Sequence, residues 1–238
     1  MKRAHLLGIA TIISAIGLAG VTGCSVTDST NIKTSGIWAR YDVDHDIDDR
    51  VTVRGVLRVG GSTGTIINLT MGEHLEVNGV EMTEYVEPIT NYQWSRAVIN
   101  PSVDDLYDID LIRTDEIVPT TMEVPELPLI TDFEPAGLLV YSDETLTVYW
   151  DNSVPGDEIS VYVGGSCIED QSYALLSDTG EFTTDPLLDA SVALPEDCEL
   201  TISVTRHYID AVNPAFQGGY TEATRTDEAY VDFESTLP

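Results

Sequence analysis

"CELTISVTRHY", Cys198–Tyr208, places Leu200, Ile202 and Val204 on one side of the chain and Glu199, Thr201, Ser203 and Thr205 on the other. A period of two marks a strand with one buried and one wet face. The same alternation recurs in both directions along the sequence. Val51, Val53, Leu57 and Val59 oppose Thr52, Arg54 and Arg58, and Tyr107, Ile109 and Leu111 alternate with Asp108 and Asp110. Leu146, Val148 and Trp150 alternate with Thr145 and Thr147, Ile159, Val161 and Val163 follow, and Ala229, Val231 and Phe233 alternate with Tyr230, Asp232 and Glu234. Asn78-Gly79, between His74–Val77 and Val80–Met82, is the signal of a two-residue type I′ hairpin. Past the first two dozen residues no helical period appears. The sequence therefore predicts an all-β chain.

"VPELPLITDFEP", Val124–Pro135, has three prolines and no alternation, and reads as a short, stiff connector. It divides the folded part into two tandem β-sandwich modules, 36–125 and 131–235. In the second, the "TLTVYW" stretch with Trp150, then "EISVYV", "CELTISVTRHY" and "EAYVDFE" together resemble a fibronectin-III or immunoglobulin-like sandwich. The resemblance implies about seven strands in two packed sheets, with Trp150 in the core. It departs from the antibody pattern, because Cys167 and Cys198 do not bracket Trp150. "RTDE" occurs at Arg113–Glu116 and again at Arg225–Glu228, each time before an expected late strand.

The amino terminus has the layout of a secretory signal: Lys2 and Arg3, then an apolar run from Ala4 to Gly20, then small residues. A retained membrane helix is disfavoured by Gly8, Gly17, Gly20 and Gly23 and by the lack of a basic cluster after the run. Val21-Thr22-Gly23-Cys24 resembles the lipobox of bacterial lipoproteins. That resemblance implies removal of residues 1–23 and fatty acylation of Cys24 as the first mature residue. Ser25, where an inner-membrane retention signal would place Asp, implies the outer membrane. Each buried acyl methylene contributes ~0.8 kcal/mol, so two or three chains anchor stably. The polar stretch up to Ser35 reads as a flexible tether, making 24–35 an acylated cysteine and its leash.

Charge narrows the function classes. Removing Lys2 and Arg3 leaves 9 basic against 41 acidic residues, a net charge of −32. Such a chain repels nucleic acid, whose phosphates need Lys and Arg. Lys33 is the sole lysine beyond the signal, which argues against Schiff-base and P-loop chemistry. Cys167 and Cys198, an even pair in an exported chain once Cys24 is acylated, are expected to form a structural disulfide.

Candidate sites are few. In "DVDHDIDD", Asp42, Asp44, Asp46, Asp48 and Asp49 offer carboxylates to Ca²⁺, the one cofactor the sequence suggests. However, Ile47 stands where an EF-hand loop needs glycine, and alternate residues of a straight strand lie ~6.5 Å apart, too far to share one ion. A solvated acidic loop is the plainer reading. Tyr92 and Trp94 share one face of "NYQWSRAV", with Arg96 next along; exposed, they would stack on a sugar or anchor a protein partner, and buried, they would fill the first core. "GGSTG", Gly60–Gly64, lacks a lysine and reads as a turn. His45, His74 and His207 lie in no zinc-protease motif, and no G-x-S-x-G elbow is present. The expectation is a lipid-anchored, non-catalytic envelope protein with a structural or protein-binding role. A glycan- or calcium-dependent binding module is the alternative, and a hydrolase comes third.

Overall fold

The computed structural model describes residues 26–88, 92–135, 139–141, 145–166, 168–187 and 198–234. In chain order its strands are β1 (Val26–Asp28), β2 (Ile37–His45), β3 (Val51–Val59), β4 (Thr65–Asn68), β5 (His74–Val77), β6 (Val80–Glu81), β7 (Thr83–Val86), β8 (Gln93–Ile99) and β9 (Leu106–Ile112). There follow β10 (Ile117–Glu123), β11 (Ile130–Glu134), β12 (Leu139–Tyr141), β13 (Thr147–Trp150), β14 (Glu158–Gly164), β15 (Gln171–Leu175), β16 (Glu181–Thr183), β17 (Cys198–Asp210) and β18 (Gly218–Glu234). Short 3₁₀ turns at Ser29–Asn31 and Thr34–Gly36 are the only helical elements among the described residues. The chain is all-β.

The described strands pair into a large sheet of order β1-β4-β3-β2-β18-β17-β14-β15, with β8 beside β3, β7 beside β8, and β12 beside β18. Two small sheets, β10-β9-β5-β6 and β11-β13-β16, pack against it. The first core lies between β2, β3 and β8 on one side and β5, β9 and β10 on the other. It buries Ile37, Tyr41, Val53, Leu75, Tyr107, Ile109 and Met122. The second core joins Leu146, Val148 and Trp150 to Ile159, Val161, Leu200, Ile202, Val231 and Phe233. Each fully buried aliphatic or aromatic side chain contributes about 1.5–3 kcal/mol, so these two clusters dominate the stability. The result is two β-sandwiches, each with its own small sheet and both sharing the large one.

That sharing comes from the C-terminal hairpin. β17 and β18 pair without a register break from Cys198↔Phe233 to Asp210↔Thr221, about 44 Å of ladder. Their buried positions keep one parity throughout, so both cores sit on the same face of the hairpin. Near the tip, Val212, Phe216 and Ala223 are buried in the first core and Tyr208 packs against it. There β18 inserts beside β2 in parallel register, Gly218↔Trp38 through Arg225↔His45. The first core is thus completed by residues beyond the 124–135 connector, not by 36–125 alone. At the seam Arg206, fully buried, donates to Asp178 and to the carbonyls of Glu126 and Asn152. Asp178 also accepts from Trp150 Nε1 and from the backbone of Val154 and Gly180.

Three local expectations fare differently. Asn78 and Gly79 have φ of 48° and 76°, as a type I′ turn requires, and Gly60 and Gly61 turn the chain between β3 and β4. The leash expected up to Ser35 is instead docked from Val26 onward. β1 pairs in parallel with β4, Ser29 and Thr34 are buried, and Arg113 donates to Ser29 O and Thr34 Oγ1 while pairing with Glu73. Burying these polar groups is tolerated because Arg113 and Thr70 satisfy them. The two "RTDE" copies are not equivalent either: one turns between β9 and β10, and the other lies inside β18.

Candidate functional site

Strand parity decides what the first sandwich shows to solvent. On β8, Gln93, Ser95 and Ala97 are buried, with Gly55↔Ser95 and Val53↔Ala97 facing the core. Trp94 and Arg96 therefore project to the outer side of the sheet, and Trp94 and Tyr92 are half-buried there. The core reading of this pair is corrected: neither belongs to the first hydrophobic cluster. Small residues at 95 and 97 fill the inner positions under the packed second sheet, which leaves the large rings outside.

Around these rings the outer face is built from long side chains. Trp94 stacks on Tyr85 of β7 at 6.1 Å and 17°, and Tyr92 lies 5.7 Å from Trp94. The Arg58 guanidinium sits 5.5 Å from the Tyr92 ring centre, and Arg40 sits 5.1 Å from that of Tyr220. Trp38 meets Tyr220 edge-on at 5.9 Å. A cleft of about 280 Å³ opens between Arg40, Asp42, Arg54, Val56, Tyr92 and Trp94. Val56, though on the outer parity of β3, is only 6% exposed, so the neighbouring side chains already roof it. Arg40 bonds Asp42 at 2.7 Å and Glu222 at 3.3 Å. Burial pushes the Asp42 carboxyl above the usual carboxylate range, against the pull of the Arg40 hydrogen bond.

The next row holds a conflict. Arg54 and Arg96 are direct cross-strand partners, an arrangement that costs stability because like charges face each other. Neither forms a salt bridge among the described residues, and Arg96 Nε is buried without a hydrogen-bond partner. Of the 9 basic residues after Arg3, Arg40, Arg54, Arg58 and Arg96 all lie on this face. Asp42 lies across from Arg54 on β2 but is hydrogen-bonded to Arg40, so neither guanidinium has a carboxylate within ion-pair distance among the described residues.

The five aspartates do not converge as a calcium site would require. Asp42 is engaged by Arg40, and Asp44 accepts from Thr224. Asp46 accepts from the backbone of Asp48 and Arg50, Arg50 pairs with Asp46 and Asp48, and Asp49 meets His45 at 3.0 Å. No group of three or more His, Cys, Asp or Glu side chains placed to hold a metal occurs among the described residues. Cys24 and Cys167 lie outside the described residues; Cys198 opens β17 opposite Phe233.

Two features escaped sequence reading. Arg206 continues the apolar parity of Leu200, Ile202 and Val204, and an arginine in such a series signals a buried polar knot. Ser160, His207 and Glu222 form a line across the outer face, with Ser160 Oγ to His207 Nε2 at 2.9 Å and His207 Nδ1 to Glu222 at 3.4 Å. This is the order of groups in a hydrolytic triad, contributed by three strands that no local motif links. The constellation is incomplete. Ser160 sits mid-strand in β14, flanked by Ala174 and Thr205, so its backbone belongs to the ladder and not to an oxyanion hole. Glu222 is shared with Arg40.

No family model and no curated protein matches the chain. Among solved structures, it is similar to the chicken CNTN1 FN1–FN3 domains at 13% identity and a TM-score of 0.26, over 84% of this chain and 65% of that one. A run of titin domains gives 10% identity and a TM-score of 0.22, over 81% and 61%. Murine CEACAM1b gives 10% identity and 0.23, over 84% and 100%. The chain thus spans just under two thirds of the length of the first two. Likeness at this level adds nothing to what the sheet pairings establish.

Proposed function

We propose that this chain is a lipid-anchored, non-catalytic binding protein of the cell envelope. In this reading residues 1–23 are a cleaved signal, Cys24 carries the acyl anchor at the outer membrane, Cys167 and Cys198 form a disulfide, and the outer face of the first sandwich meets the partner. One observation carries the binding role: Tyr92 and Trp94 stand half-exposed on the outer sheet face, beside a cleft edged by arginines. Aromatic and arginine side chains are the usual anchors of recognition surfaces. The docking of β1 supports close attachment, since a single residue, Ser25, separates Cys24 from the folded body.

Two experiments test this reading. Replacing Cys24→Ala moves the processed protein from the detergent to the aqueous phase; continued detergent partitioning overturns the anchor. A photo-crosslinking residue at position 94 gives a discrete adduct in cells, whereas one at Val103, 99% exposed on the loop between β8 and β9, does not. Equal or absent labelling at the two positions overturns the binding face.

A further inference from the structure

We infer that the outer face over β3 and β8 binds an acidic oligosaccharide, a sugar chain bearing uronate carboxylates, with a pyranose ring against Trp94 and its carboxylate between Arg54 and Arg96. The inference deepens the binding-face reading above and depends on it.

Charge is the first argument. The facing Arg54 and Arg96 pair is unfavourable in the free protein and becomes favourable when an anion lies between the two groups. Guanidinium forks match carboxylate geometry, and Arg96 Nε already lacks a partner. The acid nearest to hand, Asp42, lies directly across from Arg54 on β2 but bonds Arg40 at 2.7 Å and forms no salt bridge with Arg54, so it offsets the pair only in part.

Shape is the second. Trp94 and Arg96 occupy alternate positions of one strand, about 6.6 Å apart along β8. A ring lying on the indole face places its own carboxylate within reach of the guanidinium groups. The cleft of about 280 Å³ suits one or two rings rather than a folded partner. Tyr85 backs the indole, and Arg58 fixes Tyr92, so the aromatic platform is held before binding. An acidic peptide would satisfy the arginines but would leave the aromatic wall without a matching ring.

The test is calorimetric titration of the purified protein at low salt with an oligogalacturonate, its neutral galactose counterpart and poly-glutamate. The expected result is saturable binding of the uronate chain alone, weakened as salt rises. Trp94→Ala and Arg54→Gln each lower affinity about tenfold or more. Arg54→Gln also holds or raises the melting temperature, because it removes the like-charge pair; a merely structural arginine would lower it. No binding of the uronate chain, unchanged affinity in both variants, or equal binding of poly-glutamate overturns the inference. If crosslinking at position 94 still succeeds in that event, the binding face stands and its ligand is of another class. If crosslinking fails too, both readings fall.

Discussion

Replacing Asp178→Ala tests the seam between the sandwiches. The substitution leaves the fully buried Arg206 guanidinium without its main counter-charge. Removing one partner of a buried ion pair costs about 3–5 kcal/mol, most of it the desolvation of the charge left behind. Trp150 Nε1 and the amides of Val154 and Gly180 also lose their acceptor, each worth about 1–3 kcal/mol when buried. Asp157, 3.8 Å from Arg206 and partly exposed, takes up some of the charge, so the expected loss is about 4–5 kcal/mol. Such a loss approaches the whole stability of many domains, and Asp178→Asn, which keeps the shape, gives a milder reading. The assay is urea unfolding followed by tryptophan fluorescence and circular dichroism. The double variant Arg206→Met with Asp178→Leu removes both charges together and is expected to be more stable than Asp178→Ala alone. A loss below about 1 kcal/mol for Asp178→Ala, or strict additivity in the double variant, refutes a charge-paired seam.

Phe216 lies beyond the connector yet within the first core, so Phe216→Ala should cost about 3–5 kcal/mol and expose amides of β2 to hydrogen exchange; protection unchanged in β2 would contradict the shared core. Ser160 should resist a fluorophosphonate probe, since its backbone is held in the β14 ladder and forms no oxyanion hole among the described residues; labelling that vanishes in Ser160→Ala would make the chain a hydrolase. The His74 ring is held above its ordinary value of about 6.5, chiefly by its hydrogen bond to Glu76 and then by the Gly72 carbonyl. A histidine raised on folding stabilises fully below the unfolded value, and that contribution is lost as pH rises through the folded value. His74→Gln should therefore flatten the melting temperature across that interval, and an unchanged pH profile would show that the pair contributes nothing.

Much of the architecture was legible because the signal is local. Alternation in "CELTISV" or "VTVRGVLRV" fixes which side chains go inside, and Asn78-Gly79 fixes a turn, without reference to distant residues. What could not be read is long-range pairing. Nothing in "GGYTEATR" says that it lies parallel to "WARYDVDH", about 180 residues earlier, because both strands are equally half-buried whichever neighbour they take. The polar stretch to Ser35 looked like a leash because Ser and Thr usually cap or solvate; its burial depends on Arg113, distant in sequence. The outer-face site was half visible. Parity already turned Arg54 and Arg58 outward and paired Tyr92 with Trp94, but only the register of β3 on β8 sets Arg54 against Arg96.

The long C-terminal hairpin bears on the order in which the molecule can be assembled. β2 emerges early in synthesis, yet its parallel neighbour is the last strand described, so the first sandwich remains open until residues 218–225 have been delivered. Under the export proposed above, that delay would keep the chain threadable through a translocation channel, with the first sandwich locking only once residues 218–225 arrive on the far side.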